Sequence, residues 1–153
     1  MRTFVRAGGE IASEDGRTAL VWASQNGHSE VVKMLVDYSG FGSSAALSSA
    51  AQGGHVDCVR LLVAARASVT ELDGDGWSVL MVAAADGHGQ VCAELVHAGA
   101  HVCGTNEDGM TAADLAEREG HDHILPLLVE MVHLTTSIEV LPLHSPVKIP
   151  QFV

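Results

Sequence analysis

Alanine-rich segments and apolar amphipathic segments alternate along the chain, and a Gly-His dipeptide separates the two in each unit. The alanine-rich segments read ALVWASQN, ALSSAAQG, VLMVAAAD and AADLAERE, and the apolar segments read EVVKMLV, DCVRLLV, QVCAELV and HILPLLV. In the first apolar segment Val31, Val32, Leu35 and Val36 recur at helical spacing. Because glycine takes the left-handed conformation that ends a helix, and the joining turn is short, each unit predicts two short antiparallel helices.

These units recur at a nearly constant spacing. The four dipeptides are Gly27-His28, Gly54-His55, Gly87-His88 and Gly120-His121. The last three are evenly spaced, with a period of about 33 residues, whereas the first interval is shorter by six. Asp75-Gly76 and Asp108-Gly109 are separated by the same period. A period of this length predicts a repeat protein in which each unit stacks on its neighbours.

The period, the Asp-Gly turn, the paired alanines, the Gly-His dipeptide and the second apolar helix together resemble the ankyrin repeat family, from roughly Gly8 to Val132. The resemblance implies an all-α solenoid of antiparallel helix pairs with short β-turn fingers between them. It also implies that each Gly-His histidine hydrogen-bonds to the backbone of a neighbouring repeat. The family's Thr-Pro-Leu-His tetrapeptide reads TALV, AALS, SVLM and TAAD here, so its proline and histidine are missing.

Three segments follow from this organisation. Residues 1–13 are predicted to be a partial N-terminal repeat or cap, residues 14–132 the repeat domain, and residues 133–153 a non-repeat tail. The tail is apolar and contains Pro142, Pro146 and Pro150, and it either covers the last repeat or serves as a linear motif for a partner. The charges of the fourth unit are typical of a terminal repeat with a wettable outer face. Pro126 predicts a short or kinked start to its second helix.

The six missing residues fall in the segment YSGFGSS at 38–44, where a finger is expected. This junction predicts a direct loop and a gap in the row of fingers. In the third unit, Gly74 and Gly76 predict the turn of a finger, and Ser78 is the expected N-cap of the helix that follows. Thr18 is the corresponding cap of the first unit.

Charge and composition exclude several classes of function. The 153 residues include 8 Lys and Arg and 19 Asp and Glu, which gives a formal net charge of −11. This charge argues against binding to nucleic acid or to an anionic membrane surface. No apolar run approaches the roughly 18 residues of a membrane span, and the N-terminus lacks the apolar core of a signal peptide. We therefore expect a cytoplasmic or nuclear protein.

The residues that could carry chemistry are mostly explained by the repeat. Four of the nine histidines belong to the Gly-His dipeptides, about 10 Å apart by ordinary helix packing, too far to share a metal ion with bonds of about 2 Å. Cys58 and Cys92 occupy apolar helix positions, whereas Cys103 lies in a loop. No catalytic or nucleotide-binding motif is present, and Asp15, Asp75 and Asp108 are expected to brace β-turns. We expect no enzymatic activity, no cofactor and no metal.

The surface is the remaining candidate for a functional site. Ankyrin arrays usually bind partners through the concave face of finger tips and first helices. Carried over position by position, the resemblance implies that this face comprises Arg17, Gln25, Asn26, Gln52, Leu72, Asp75, Trp77, Asp86, Asn106, Glu107, Met110 and Arg118. Trp77 follows the turn glycine and is the expected anchor, whereas Trp22 is expected in the core. The acidic residues around Trp77 favour a basic or mixed basic-apolar protein ligand.

Two functions are consistent with the sequence. The first is a non-enzymatic protein-interaction module that binds a partner through its concave groove. The alternative is a structural or regulatory ankyrin segment of a larger or self-associating protein, suggested by the half-repeat at the N-terminus. The oligomeric state does not follow from the sequence.

Overall fold

The structure is a computed structural model that describes residues 5–7, 10–12, 19–40 and 42–133, the first two ranges by their backbone alone. A hairpin of β1 (Val5–Ala7) and β2 (Glu10–Ala12) pairs Val5 with Ala12 in antiparallel register. The helices are α1 (Ala19–Gln25), α2 (Ser29–Ser39), α3 (Ser44–Gln52), α4 (Val56–Ala64), α5 (Val79–Ala85), α6 (Gly89–His97), α7 (Ala112–Arg118) and α8 (125–133), the last preceded by a 3₁₀ turn at Asp122–Ile124.

The helices form stacked pairs, which confirms the predicted all-α ankyrin solenoid. Within a repeat α1 packs on α2, α3 on α4 and α5 on α6. Between repeats the first helices α1, α3, α5 and α7 pack in one row, and the second helices α2, α4 and α6 pack in another. The two rows place equivalent residues of successive repeats side by side, as a solenoid requires.

The core runs continuously between the two rows. Leu47, Leu80, Val59 and Cys92 are fully buried, and so are the alanines at equivalent positions of the first helices, Ala50, Ala83 and Ala116. Alanine at these positions lets neighbouring helices approach closely, because interaxial distance depends on the side chains at the contact. The paired alanines of the sequence therefore set the tight stacking of the first-helix row.

Residues with hydroxyl side chains are the N-caps of the first helices in the second, third and fourth repeats. Ser43, Ser78 and Thr111 accept a hydrogen bond from the backbone N–H three residues on, at 3.5, 3.3 and 3.2 Å. Asp114 completes a capping box by accepting from the Thr111 backbone N–H at 2.8 Å. This hydrogen bond lowers the pKa of the Asp114 carboxyl. The cap expected at Ser78 is confirmed, whereas Thr18 lies outside the described residues.

The junction between the first two repeats is short, as predicted. After α2 ends at Ser39, only four residues precede α3 at Ser44. The Gly42 backbone N–H donates to the Ala65 carbonyl at 2.7 Å, and a Cβ at Gly42 would lie 2.8 Å from the Leu62 carbonyl oxygen. The chain therefore passes directly across the end of α4, and four residues leave no room for a finger.

The glycine of a Gly-His turn lies against the histidine ring of the next repeat. Gly54 adopts a φ of +71°, and a Cβ added there would lie 2.7 Å from the His88 ring. The same arrangement places the His55 ring against Gly27 and the His121 ring against Gly87. The glycines therefore satisfy two requirements, a left-handed backbone and a contact with the neighbouring imidazole.

The same histidines form hydrogen bonds between repeats. Nε2 of His55 donates to the Gln25 carbonyl at 3.1 Å, and Nε2 of His88 donates to the Gln52 carbonyl at 2.9 Å. These bonds confirm the prediction for the second and third repeats. In the fourth repeat the donor is His123, whose Nε2 lies 3.3 Å from the Gly87 carbonyl.

Two other expectations concern the terminal repeats. Pro126 follows the 3₁₀ turn at Asp122–Ile124, which confirms the irregular helix start. The core position expected for Trp22 is wrong, because its side chain is 44% exposed. Among its equivalents, Leu115 of the fourth repeat is fully buried, whereas Ser49 and Val82 of the inner repeats are half-buried, so this position lies at the margin of the core.

We expect Gly54→Ala to lower the free energy of unfolding by about 3 kcal/mol, because a left-handed alanine costs about 1–2 kcal/mol and the Cβ overlaps the His88 ring. Gly120→Ala is the matched control, since Gly120 has a φ of +79° and open space around its Cβ position. It should lose only the backbone cost, about 1–2 kcal/mol. Urea unfolding measures both, and equal losses would contradict a role for the histidine contact.

Candidate functional site

The finger of the third repeat is a closed turn at residues 72–78. Leu72 and Ser78 form an antiparallel bridge, and the Asp73 backbone N–H donates to the Trp77 carbonyl at 2.9 Å. Oδ1 of Asp73 accepts from the backbone N–H groups of Asp75 at 3.0 Å and Trp77 at 2.8 Å. Gly76 supplies the positive φ, +75°, that the turn needs.

The fourth finger repeats this geometry one period later in the chain. Oδ1 of Asn106 accepts from the backbone N–H groups of Asp108 and Met110, both at 3.0 Å. The side chains that brace these turns are therefore Asp73 and Asn106, and the expectation that Asp75 and Asp108 do so is wrong. A side chain two residues before the first N–H reaches both donors, as in an Asx turn, whereas Asp75 is itself one of the donors.

The two fingers stack side by side. A Cβ at Gly76 would lie 3.2 Å from Cγ of Glu107, so the third finger touches the fourth at this point. The opposite side of the third finger faces the junction where the second repeat has no room for a finger. That side is consequently open.

An open cavity of about 360 Å³ occupies this position, and we call it the junction groove. Its walls come from α3 and from the loop and finger that precede α5. The lining residues are Ser44, Ala45, Ser48, Ser49, Gln52, Ser68, Glu71, Leu72, Asp73, Trp77 and Val79.

One wall of the junction groove is apolar and the rest is polar or acidic. Leu72 is 56% exposed, and Trp77 is half-buried with part of its side chain packed on the core. Glu71 and Asp73 are exposed, and the described residues that line the groove include no basic side chain. The groove thus offers an apolar surface beside carboxylates, on a chain with a net charge of −11.

The family model described as "Ankyrin repeats (3 copies)" matches residues 2–73 and 47–139 of the chain. The chain belongs to the ankyrin repeat family. Ankyrin repeats are generally protein–protein interaction modules, and the family is generally non-enzymatic. No curated protein matches the chain.

The ankyrin stack brings together only part of the predicted binding face. Gln52, Leu72 and Trp77 line the junction groove, and Asp75 lies exposed at the tip of the same finger. Exposed residues outside the groove are Gln25, Asn26, Asp86, Glu107 and Arg118, while Met110 is half-buried. Arg17 lies outside the described residues.

Asn106 differs from the rest of the predicted face, because it is only 6% exposed. Its side-chain oxygen is used within the turn, and its buried Nδ2 has no hydrogen-bond partner among the described residues. Arg118 is exposed, but it donates to Glu119 at 3.0 Å and to the Met110 sulfur at 3.7 Å. Neither side chain contributes to the junction groove.

The sequence-based binding face leaves out most of the groove lining, including the polar residues Ser48, Ser49, Ser68 and Glu71. A signal was nevertheless present, since α3 reads SAALSSAAQ where the first helix of the third repeat reads VLMVAAA. A serine-rich first helix beside a missing finger indicates a helix face that the fold leaves open.

The cysteines occupy the environments that the sequence predicted. Cys58 and Cys92 are buried and Cys103 is exposed. Burial raises the pKa of the Cys58 thiol and raises that of Cys92 to about 12. Within the described residues no three His, Cys, Asp or Glu side chains come together as a potential metal site. None of the helices in that part of the chain has the length and apolar character of a membrane span.

We expect Asp73→Ala to destabilise the protein by about 1 kcal/mol, because two backbone N–H groups of the finger lose their acceptor. Asp73→Asn should be nearly neutral, since Asn106 braces the fourth finger in the same way. Asp75→Ala is the exposed control. Thermal unfolding of the three variants checks the assignment, and a loss at Asp75 as large as that at Asp73 would refute it.

A thiol reagent such as DTNB should modify one cysteine rapidly in the native protein and all three after unfolding in urea. The thiolate is the reacting form, and burial suppresses it at Cys58 and Cys92. Cys103→Ser should abolish the rapid phase, which absorbance at neutral pH measures. A rapid phase that persists in Cys103→Ser would show that a repeat opens locally.

Proposed function

We propose that the protein binds an extended segment of a protein partner in the junction groove, and that this segment combines an apolar side chain with a neighbouring Lys or Arg. The observation that carries the proposal is the pairing of an apolar wall, Leu72 and Trp77, with the carboxylates of Glu71, Asp73 and Asp75. Aromatic and aliphatic surfaces of this kind anchor interfaces, and the surrounding charges select the partner.

The volume of the groove limits what can enter it. At about 360 Å³ the groove lies at the small end of ligand sites, roughly 300–1,000 Å³. A space of this size suits one or two side chains of a peptide rather than a folded domain. The remainder of a partner would lie along the first helices and the third finger.

The polar floor of the groove suits a peptide backbone. Ser44, Ser48 and Ser49 on α3 and Ser68 opposite them carry hydroxyls, each of which can donate and accept a hydrogen bond. An extended segment exposes alternating N–H and C=O groups that need such partners when water is removed. The Gln52 side chain adds an amide at the far end of the same helix face.

The negative charge of the groove makes peptide binding selective for basic segments and speeds association. The described lining of the groove contains carboxylates and no cation, and the chain's net charge of −11 attracts basic segments over long range. Association should therefore weaken as ionic strength rises, since a Debye length of about 8 Å at physiological salt screens exposed charges. We propose that binding takes place in the cytoplasm or nucleus, where thiols such as those of Cys58 and Cys92 stay reduced.

A displayed library of random peptides, selected against the immobilised full chain, tests this function. We expect the recovered peptides to contain an aromatic or aliphatic residue next to Lys or Arg. Leu72→Ala should weaken a synthetic copy of such a peptide about tenfold, equivalent to about 1.4 kcal/mol, because Leu72 is 56% exposed and contributes little to folding. Fluorescence anisotropy measures the affinity.

Matched variants separate the groove from other surfaces. Val129→Ala removes a 50% exposed apolar side chain from α8 and should bind like wild type. Glu71→Gln with Asp75→Asn should reduce both the affinity and its dependence on salt, without touching the turn brace at Asp73. Recovery of acidic peptides, or equal losses in Leu72→Ala and Val129→Ala, would overturn the proposal.

A further inference from the structure

The tail of the chain contains a segment with the features proposed for a partner of the junction groove. Residues 146–150 read PVKIP, which places Lys148 between Val147 and Ile149. Lys148 is also the only Lys or Arg in the sequence after Arg118. We call residues 146–150 the PVKIP segment, and they lie outside the described residues.

The two prolines of the PVKIP segment favour an extended backbone. A proline ring fixes φ at about −65° and disfavours a helical conformation in the residue before it. Those residues are Ser145 before Pro146 and Ile149 before Pro150. A segment restricted in this way loses less conformational entropy when it binds as an extended chain.

The side chains of the PVKIP segment match the apolar wall of the groove. In an extended backbone alternate side chains share one face, so Val147 and Ile149 would face one side and Lys148 the other. Two apolar side chains complement Leu72, which is 56% exposed, and the half-buried Trp77. They also suit a groove of about 360 Å³, which has room for one or two side chains.

The groove also offers carboxylates to the ammonium group of Lys148. Glu71 and Asp73 are exposed, and neither forms a salt bridge within the described part of the chain. Asp73 braces the finger through Oδ1, whereas its Oδ2 accepts no hydrogen bond from the described residues. An ammonium group can therefore pair with Oδ2 without disturbing the turn.

The tail is long enough to bring the PVKIP segment to the groove. The second helix of a repeat ends on the side of the stack where the chain turns toward a finger, as α4 does before the third finger. The equivalent helix of the fourth repeat, α8, extends to His133. The path from there crosses two repeats and one helix layer of about 10 Å each, roughly 30 Å in all. Val147 follows His133 by 14 residues, which span up to about 46 Å when extended.

We propose that the PVKIP segment occupies the junction groove of its own chain and that a partner binds by displacing it. This occupancy depends on the peptide binding proposed for the groove, and it makes the chain's own tail the first ligand of that site. A flexible tether holds a ligand at an effective concentration of about 1 mM. A segment with a Kd of about 0.1 mM would then fill about 90% of the grooves, which weakens a competing peptide about tenfold.

A fluorescent synthetic peptide with the sequence of residues 143–152 tests the occupancy. We expect this peptide to bind the full chain carrying Lys148→Glu about tenfold more tightly than the wild-type chain, because the altered tail no longer competes for the groove. Lys33→Glu is the matched control, since it makes the same change of charge on α2, away from the groove, and it should bind like wild type. Fluorescence anisotropy measures the affinities, and circular dichroism checks that each variant is folded.

The outcomes of this titration separate the occupancy from the proposed function. Addition of Leu72→Ala to Lys148→Glu should weaken the peptide about tenfold, which assigns the binding to the groove. Equal affinities of the wild-type and Lys148→Glu chains would overturn the occupancy and leave peptide binding by the groove intact. A library selection that recovers no peptide on either chain would overturn the proposed function and the occupancy with it.

A disulfide cross-link tests the position of the tail without any added peptide. In a Cys103→Ser background, Ser48→Cys in the groove and Ile149→Cys in the tail should form a disulfide within one chain under mild oxidation. Non-reducing electrophoresis detects it, and its yield should not change on dilution. Val129→Cys on α8 with Ile149→Cys is the control and should stay reduced.

Two results of the cross-linking would overturn the proposal. A disulfide to position 129 instead of position 48 would place the tail on the last repeat. A disulfide that forms only between two chains would assign the groove to the tail of a second copy.

Discussion

The contact between an imidazole and the left-handed glycine of the preceding repeat fixes how these repeats stack. Each Gly-His turn presents a backbone with no Cβ, and the next histidine fills that space, as His88 does at Gly54. In the second and third repeats the same ring reaches a carbonyl two residues before the glycine. One short contact therefore sets both the spacing and the register of neighbouring repeats, and it is repeated at each boundary. The burial of the alanine row and the alignment of the fingers follow from that register.

Features that depend on one repeat and its turn chemistry could be predicted from the sequence. The helix pairs, the Ser78 cap, the short junction and the irregular start at Pro126 each follow from residues close together in the chain. Features that depend on the neighbours of a repeat could not. Trp22 occupies the same position as the buried Leu115 and the half-buried Ser49 and Val82, so the burial of this position differs between repeats that share one sequence pattern. The groove is of this second kind, because its two walls come from different repeats.

The first and fourth repeats differ in the character of the sides that face away from the rest of the described stack. The fourth repeat exposes charged residues such as Glu117 and Glu130, which is typical of a repeat with a wettable outer side. In the first repeat, Met34 and Tyr38 keep the outer side apolar, which costs free energy while that side is exposed to water. This asymmetry cannot be read from the repeat pattern, since Val31 matches its equivalents in residue type and differs only in exposure.

The missing finger opens a binding surface without uncoupling the repeats on either side of it. Fingers contribute to stacking through contacts such as that between Gly76 and Glu107, and the second repeat lacks them. The histidine contacts on both sides of this repeat are nevertheless intact, His55 at Gly27 and His88 at Gly54. Leu47 on the inner face of α3 is fully buried. The serines that line the groove therefore project from a helix that the core holds in place, and a rigid support of this kind reduces the entropy lost when a partner binds.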